Sequence, residues 1–169
     1  ISKEYPWPGS RCGWIEILNR KRDANFAAYA ESLVAAKRME VSSTTLPQAT
    51  IPPVFSDSRY ALHLKSKEAE YARRASEAAS HLADCDHIIA TPPQGAFYYT
   101  VMFKPGLLND QQSLPIENPA VRSKIEQLVQ GTKKDMRFVY YLMGSTGIVV
   151  VPLSGFHCRH DGFRFTLLE

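Results

Sequence analysis

The chain has 169 residues, 44% of them hydrophobic and 22% charged, with a formal net charge of +3. That length fits one ordinary domain, or one domain and part of a second, with enough apolar residues to bury a core. The small net charge, spread along the chain apart from Arg20, Lys21 and Arg22, argues against a nucleic-acid partner. No apolar run approaches the roughly 18 residues that a membrane helix requires, and the first residues lack the form of a signal peptide, so no membrane partner is expected. Three widely spaced cysteines, Cys12, Cys85 and Cys158, suit reduced thiols and a cytoplasmic setting better than a disulfide framework.

In chain order, "WIEIL" after Gly13 reads as a short strand, followed by a loop over 19–22. Asp23 is a plausible N-cap for a helix whose apolar residues Phe26, Tyr29, Leu33 and Ala36 recur near helical spacing. "SSTTLPQATIPPVFSD" mixes cap residues with Pro47, Pro52 and Pro53, so it is a short helix or a broken one. "SKEAEYARRASEAASHLAD" is Ala-rich with interleaved charges and predicts a helix of about five turns. Its Arg73 and Arg74 could meet an acidic partner, but Glu68, Glu70 and Glu77 among them favour a solvated face.

Beyond residue 84 the pattern changes. "HIIA" and "AFYYTVMF" predict strands separated by the turn "TPPQG". Residues 104–119 show no period and read as a long loop, a possible source of a lid. "AVRSKIEQLV" and "KKDMRFVYYLMG" predict helices, the second largely buried. "GIVVVP" reads as a buried strand. "GFRFTLL" alternates, with Phe163, Phe165 and Leu167 on one face and Arg164 and Thr166 on the other. The fold class expected is α+β, or α/β with a small sheet covered on one side by helices.

Two stretches offer chemistry. In "SKEYPWPGSRCGW", Lys3 stands among aromatic residues and Arg11 follows a Pro-Gly turn. An amine and a guanidinium on opposite walls of one pocket could form an imine and grip a phosphate; a surface Lys beside a structural Arg is the plainer alternative. Arg164 on the face opposite Phe163 and Phe165 requires an anionic partner or solvent. His157, Cys158 and His160 lie close together, as do Cys85, Asp86 and His87, but neither group has the paired spacing of a structural zinc site, and no metal is expected.

The opening stretch resembles the cofactor-lysine signature of the class I/II aminotransferases, fold-type I enzymes that use pyridoxal 5'-phosphate. In that family an Arg follows the Lys by eight residues, then one hydrophobic position and a small residue, matched here by Lys3, Arg11, Cys12 and Gly13. Pro6 departs from the small residue usual at its place, and Trp7 is bulkier than usual. "STTLPQ" is similar to the polar helix start after the family's first long helix. "DMRFVYYLMGSTGIVVVPLSGF" is similar to its helix and V-V-P-G-x-x-F strand, with Leu153 where Gly is common. "GFRFTLL" resembles its final strand. The resemblance implies that Lys3 forms the internal Schiff base, Arg11 binds the cofactor phosphate and Arg164 binds the substrate α-carboxylate.

It further implies a small, mostly antiparallel sheet covered by helices. Residues 1–40 would end the large cofactor-binding domain, 41–84 would be linking helices, and 85–169 the small C-terminal domain without its last helix. The family's acidic partner of the pyridine nitrogen, ring-stacking aromatic and Gly-rich phosphate segment lie upstream of the lysine. The chain is therefore expected to be a C-terminal fragment that alone holds the cofactor weakly or not at all, and is inactive. In an intact homodimer it would serve an aminotransferase of amino-acid metabolism, acting on an α-amino acid and a 2-oxo acid. A β-lyase or decarboxylase on the same fold would use the same residues, and a non-catalytic small-domain binding module is the alternative from another class.

Overall fold

Alternation along two aromatic-rich segments organises the sheet. The structure, a computed structural model, describes residues 2–4 and 7–168. Its elements fall into two compact units, Ile1–His63 and Leu64–Glu169. Among the described residues no helix is long and apolar enough to cross a membrane.

The first unit is helical. The Asp23 carboxylate accepts a hydrogen bond from Phe26 N at 2.7 Å and starts α1 (Ala24–Arg38) as its N-cap. Phe26, Tyr29 and Leu33 remain exposed, and only Ala30 is buried along this helix. The proline-rich segment is one continuous helix, α2 (Thr45–Ser56), with Pro52 and Pro53 inside it. Proline's fixed φ suits a helix even as its ring nitrogen donates nothing. Side chains add local bonds in the turns before them: Gln48 Nε2 donates to Thr44 O and Thr50 Oγ1 to Leu46 O. The strand expected at "WIEIL" does not form: residues 14–18 pair with no described strand, and Ile15 and Leu18 are 80% and 70% exposed. A β-forming sequence stays unpaired without a neighbouring edge, since strand stability resides in cross-strand pairs.

Helix α3 (Arg59–Ala83) begins several residues before the expected Ala-rich stretch. Asp57 ends α2 and receives both the backbone N–H and the side chain of Arg59, which holds its carboxyl down at about 2. Within the second unit, Tyr71, Ala75, Ala78, Ala79 and Leu82 form one stripe of α3 and pack on the sheet.

That sheet has four strands in the order β1-β2-β4-β3, every pair antiparallel: β1 (Ile88–Ala90), β2 (Tyr98–Phe103), β3 (Val151–Pro152) and β4 (Gly162–Thr166). The register pairs Tyr99 with Phe165 and Val101 with Phe163 on the core face, and Tyr98 with Thr166 and Thr100 with Arg164 on the other. Tyr99 and Val101 are fully buried, and Tyr99 stacks on Phe165 with ring centroids 5.3 Å apart. Gly162 is required at the head of β4. A Cβ there would lie 2.3 Å from Val101 O and 2.7 Å from Leu153 Cδ1, too close for any side chain.

The strand expected over 147–152 shrinks to Val151–Pro152, with Ile148 and Val149 exposed rather than buried. Pro152 cannot donate to a ladder, which confines this strand to the sheet edge. Helices α4 (Pro119–Leu128) and α5 (Lys134–Thr146) make a second cluster around Ile116, Ile125, Val129 and Tyr141. The 104–118 segment is a long connection, as expected, but it is pinned. Arg137 Nε donates to Gln112 O at 2.7 Å, Arg122 donates to Ile116 O, and Leu108 and Ile116 are buried. These ties argue against a lid.

The Tyr99 hydroxyl is buried and has no hydrogen-bond partner among the described residues. Leaving such a group unsatisfied costs about 1–3 kcal/mol. Tyr99→Phe keeps the stacked ring and removes that cost, so thermal unfolding of the variant should occur at an unchanged or higher temperature. A lowered midpoint would show that the hydroxyl does bond in solution.

Candidate functional site

Lys3 sits in the turn over residues 2–4 and is exposed; its neighbour Glu4 accepts a hydrogen bond from the Tyr60 hydroxyl. Pro6, the noted departure in this motif, lies outside the described residues. The Pro-Gly segment then folds into a single 3-10 turn, Pro8–Ser10, whose Ser10 is buried and donates from Oγ to Trp7 O at 2.7 Å. Arg11 closes this turn in the left-handed region, at φ 47°, with its backbone N–H on Pro8 O. Its side chain turns back so that Nη1 also donates to Pro8 O at 3.1 Å. Among the described residues this is the side chain's one bond, and it leaves four further N–H donors of the guanidinium fork. Arg11 lines a cavity of about 690 Å³ together with Lys37, Ser43, Thr44 and Glu40, and Lys37 and Glu40 form an ion pair. The wall around Arg11 thus carries hydroxyls, one ammonium and one carboxylate.

Lys3 and Arg11 belong to the first unit and Arg164 to the second. Arg164 lies mid-strand in β4, between Thr100 of β2 and Val151 of β3, on the sheet face opposite the α3 stripe. It is half-buried, and its surroundings differ from both alternatives read in the sequence. The guanidinium carbon is 4.2 Å from the Tyr98 ring centroid and 4.1 Å from that of Phe156. Two aromatic rings therefore engage the cation, at distances well inside the range of cation–π attraction. Among the described residues the Arg164 guanidinium has no hydrogen bond and no carboxylate partner. Neither ring supplies a carboxylate or carbonyl acceptor, so these contacts leave N–H donors of the guanidinium for an anion.

The sequence reading missed Tyr98 and Phe156. Tyr98 was discoverable from its alternation, because Tyr98 and Thr100 share the non-core face of β2 with Arg164 on β4. Phe156 ends the 3-10 turn Leu153–Phe156, and no local pattern aims it at a strand residue. Arg74 is also corrected. It is not part of a solvated face: it pairs with Glu70 at 2.7 Å and donates to the Leu167 carbonyl at 2.6 Å and to that of Leu168, tying α3 to the end of β4. Among the described residues Arg73, by contrast, makes only the exposed helical pair with Glu77. His157, Cys158 and His160 are exposed in the loop before β4.

A small antiparallel sheet, helices over one face and a ring-stacked Arg on the other define an α+β domain of the kind that forms the small domain of an aminotransferase. The chain belongs to the aminotransferase class I and II family, whose family model matches residues 1–168. It is thus a fold-type I aminotransferase sequence. An uncharacterized aminotransferase of Methanocaldococcus jannaschii is 46% identical to it over 169 residues. That alignment takes in 100% of this chain and 39% of the relative, so the chain spans well under half the length of the curated relative it matches.

The ring contacts predict a measurable protection. Phe156→Ala should open one face of the Arg164 guanidinium and speed its modification by an arginine-directed dicarbonyl reagent several-fold. Peptide mass spectrometry reads the rate at Arg164, with Arg73 as the exposed internal reference. An unchanged ratio of the two rates would mean that Phe156 does not cover Arg164.

Proposed function

We propose that the protein carrying this chain transfers an amino group between an α-amino acid and a 2-oxo acid, with pyridoxal 5'-phosphate held by Lys3 and Arg11. In this reading residues 1–40 end the cofactor-binding domain, 41–84 are linking helices, and 85–169 form the small domain. The family is generally dependent on this cofactor, and the donor set here fits it: an exposed amine at Lys3, and at Arg11 a fork of donors with hydroxyls and an ammonium in the same cavity. When bound, the cofactor supplies the electron sink that makes an α-proton removable.

The chain's own residues have separable tasks. Arg11 pairs with the phosphate dianion, a planar fork against a trigonal set of oxygens. Lys3 Nζ would hold the cofactor at rest and, once released, would take up the substrate's α-proton and carry it away from the α-carbon, so that the amino group can be transferred. Arg164 binds the substrate α-carboxylate. The observation that carries the reading is its setting: a half-buried guanidinium with aromatic rings at its faces and no bonded acceptor among the described residues. Such a cation favours a planar, bidentate anion, which a carboxylate is. Exposed thiols at Cys85 and Cys158 suit a reducing cytoplasm, and a homodimer is the assembly the family leads us to expect.

Two substitutions in the cofactor-loaded enzyme separate these roles. Lys3→Ala should abolish the visible absorbance of the lysine-bound cofactor; an unchanged spectrum rules Lys3 out. Arg164→Leu removes a pair of charge-assisted hydrogen bonds worth about 1.5–3 kcal/mol each at most, so amino-acid affinity should fall roughly 100-fold or more. Cofactor affinity should barely change, and equal loss of both would count against the carboxylate role.

A further inference from the structure

Asp135 is the charged residue buried among the described residues, at 0% exposure, and its partners are unusual for a buried acid. It lies in the first turn of α5, and no cation among the described residues pairs with it. One carboxylate oxygen, Oδ1, accepts the backbone N–H of Met136 at 2.8 Å. The other, Oδ2, reaches out of the helix and accepts the backbone N–H of Ser154 at 2.7 Å. Both bonds are charge-assisted, and the positive end of the α5 dipole favours an anion at that place. Taking a carboxylate wholly out of water is expensive, so these backbone contacts must offset a large desolvation cost. The result is a clasp between the start of α5 and the turn Leu153–Phe156.

That turn carries Phe156. Its outgoing end is closed by His157, at φ 57°, and by Cys158 N donating to Leu153 O at 3.3 Å. Its incoming end is the edge strand β3, paired to β4 at only two positions, Val151 with Arg164 and Pro152 with Phe163. So short a ladder restrains the turn weakly, whereas the Ser154 N–H bonded to a buried carboxylate restrains it strongly. Phe156, two residues farther on, then lies 4.1 Å from the Arg164 guanidinium. Two contacts, joined by one short turn, thus link a buried acid to the Arg on the sheet face opposite α3.

We propose that Asp135 is a positioning residue for Arg164: by clasping Ser154 it fixes the turn that holds Phe156 against the guanidinium, and so orients the donors offered to the substrate carboxylate. This inference rests on the carboxylate reading of Arg164. It assigns the acid no contact with substrate or cofactor. Asp135→Ala frees the turn, whereas Asp135→Asn keeps the shape and one acceptor oxygen, enough for only one of the two backbone donors.

The test uses the cofactor-loaded enzyme and two readouts. The first is the affinity for 2-methylalanine, an amino acid without an α-proton, followed through the cofactor spectrum. The second is the rate of dicarbonyl modification at Arg164. Asp135→Ala should weaken 2-methylalanine binding about tenfold and raise Arg164 labelling to the level of Phe156→Ala, with cofactor affinity unchanged. Asp135→Asn should fall between it and the parent, and it carries the test alone if the Ala variant does not fold. The double variant Asp135→Ala, Phe156→Ala should be no worse than Phe156→Ala alone, because both changes act through one contact. Additive losses in the double variant would overturn the proposal, as would equal weakening of cofactor and amino acid in either Asp135 variant. If Arg164→Leu leaves 2-methylalanine affinity unchanged, the carboxylate reading fails by itself, while the labelling rates still decide whether Asp135 positions Arg164.

Discussion

The pairing of β2 with β4 is the constraint on which the second unit depends. It sets Tyr99 against Phe165 and Val101 against Phe163 on the face that meets α3, and by the same register sets Thr100 against Arg164 on the other. Strand side chains alternate with a period of two, so a slip of one residue would drive Arg164 into the core and lift Phe163 and Phe165 out of it. The core therefore selects the register, and the register selects where the cation goes. Burial of several aromatic side chains, each worth about 1.5–3 kcal/mol, outweighs any preference of a single Arg. Gly162 permits this pairing, since no side chain would fit between its Cα and the Val101 carbonyl.

Two arginines of this unit illustrate how surroundings turn the same side chain to different uses. Arg74 spends its donors on carbonyls at the end of β4 and on Glu70, and becomes a structural tie between α3 and the sheet. Arg164 has its guanidinium against two rings instead, with its in-plane donors unengaged among the described residues. Hydrogen-bonded to carbonyls, the first is satisfied within the fold. Stacked, the second is oriented yet still able to bind an anion, the combination required of a preorganised carboxylate site.

Much of this was legible in local patterns. Helices at 24–38, 119–128 and 134–146, and the Ala-rich part of 59–83, follow from caps, alanine content and apolar spacing, and the Asp23 cap is bonded as the sequence suggests. The alternation of "GFRFTLL" correctly divides Phe163, Phe165 and Leu167 from Arg164 and Thr166. Two strands were misread for one shared reason. "WIEIL" and "GIVVVP" carry β-forming residues, but whether such residues pair is decided by the presence of a neighbouring edge, which a local pattern does not contain. The proline pair in α2 shows the converse, a breaker signal overridden: donors are lost and the rings crowd the preceding carbonyls, yet the helix runs on through Pro52 and Pro53.

The amino-acid sequence by itself determined the family, through the Lys3 and Arg11 spacing at one end and the Arg164 strand at the other, and it determined which face of the last strand is polar. These are properties of order and spacing along the chain. Only the tertiary structure decided what surrounds Arg164, what Arg74 is for and why an acid at 135 is buried. Tyr98 is far in sequence from Phe156 and Arg164, and Ser154 lies 19 residues beyond Asp135. Their contacts arise where a ladder register and a turn clasp bring remote segments together, and no local periodicity encodes such a meeting.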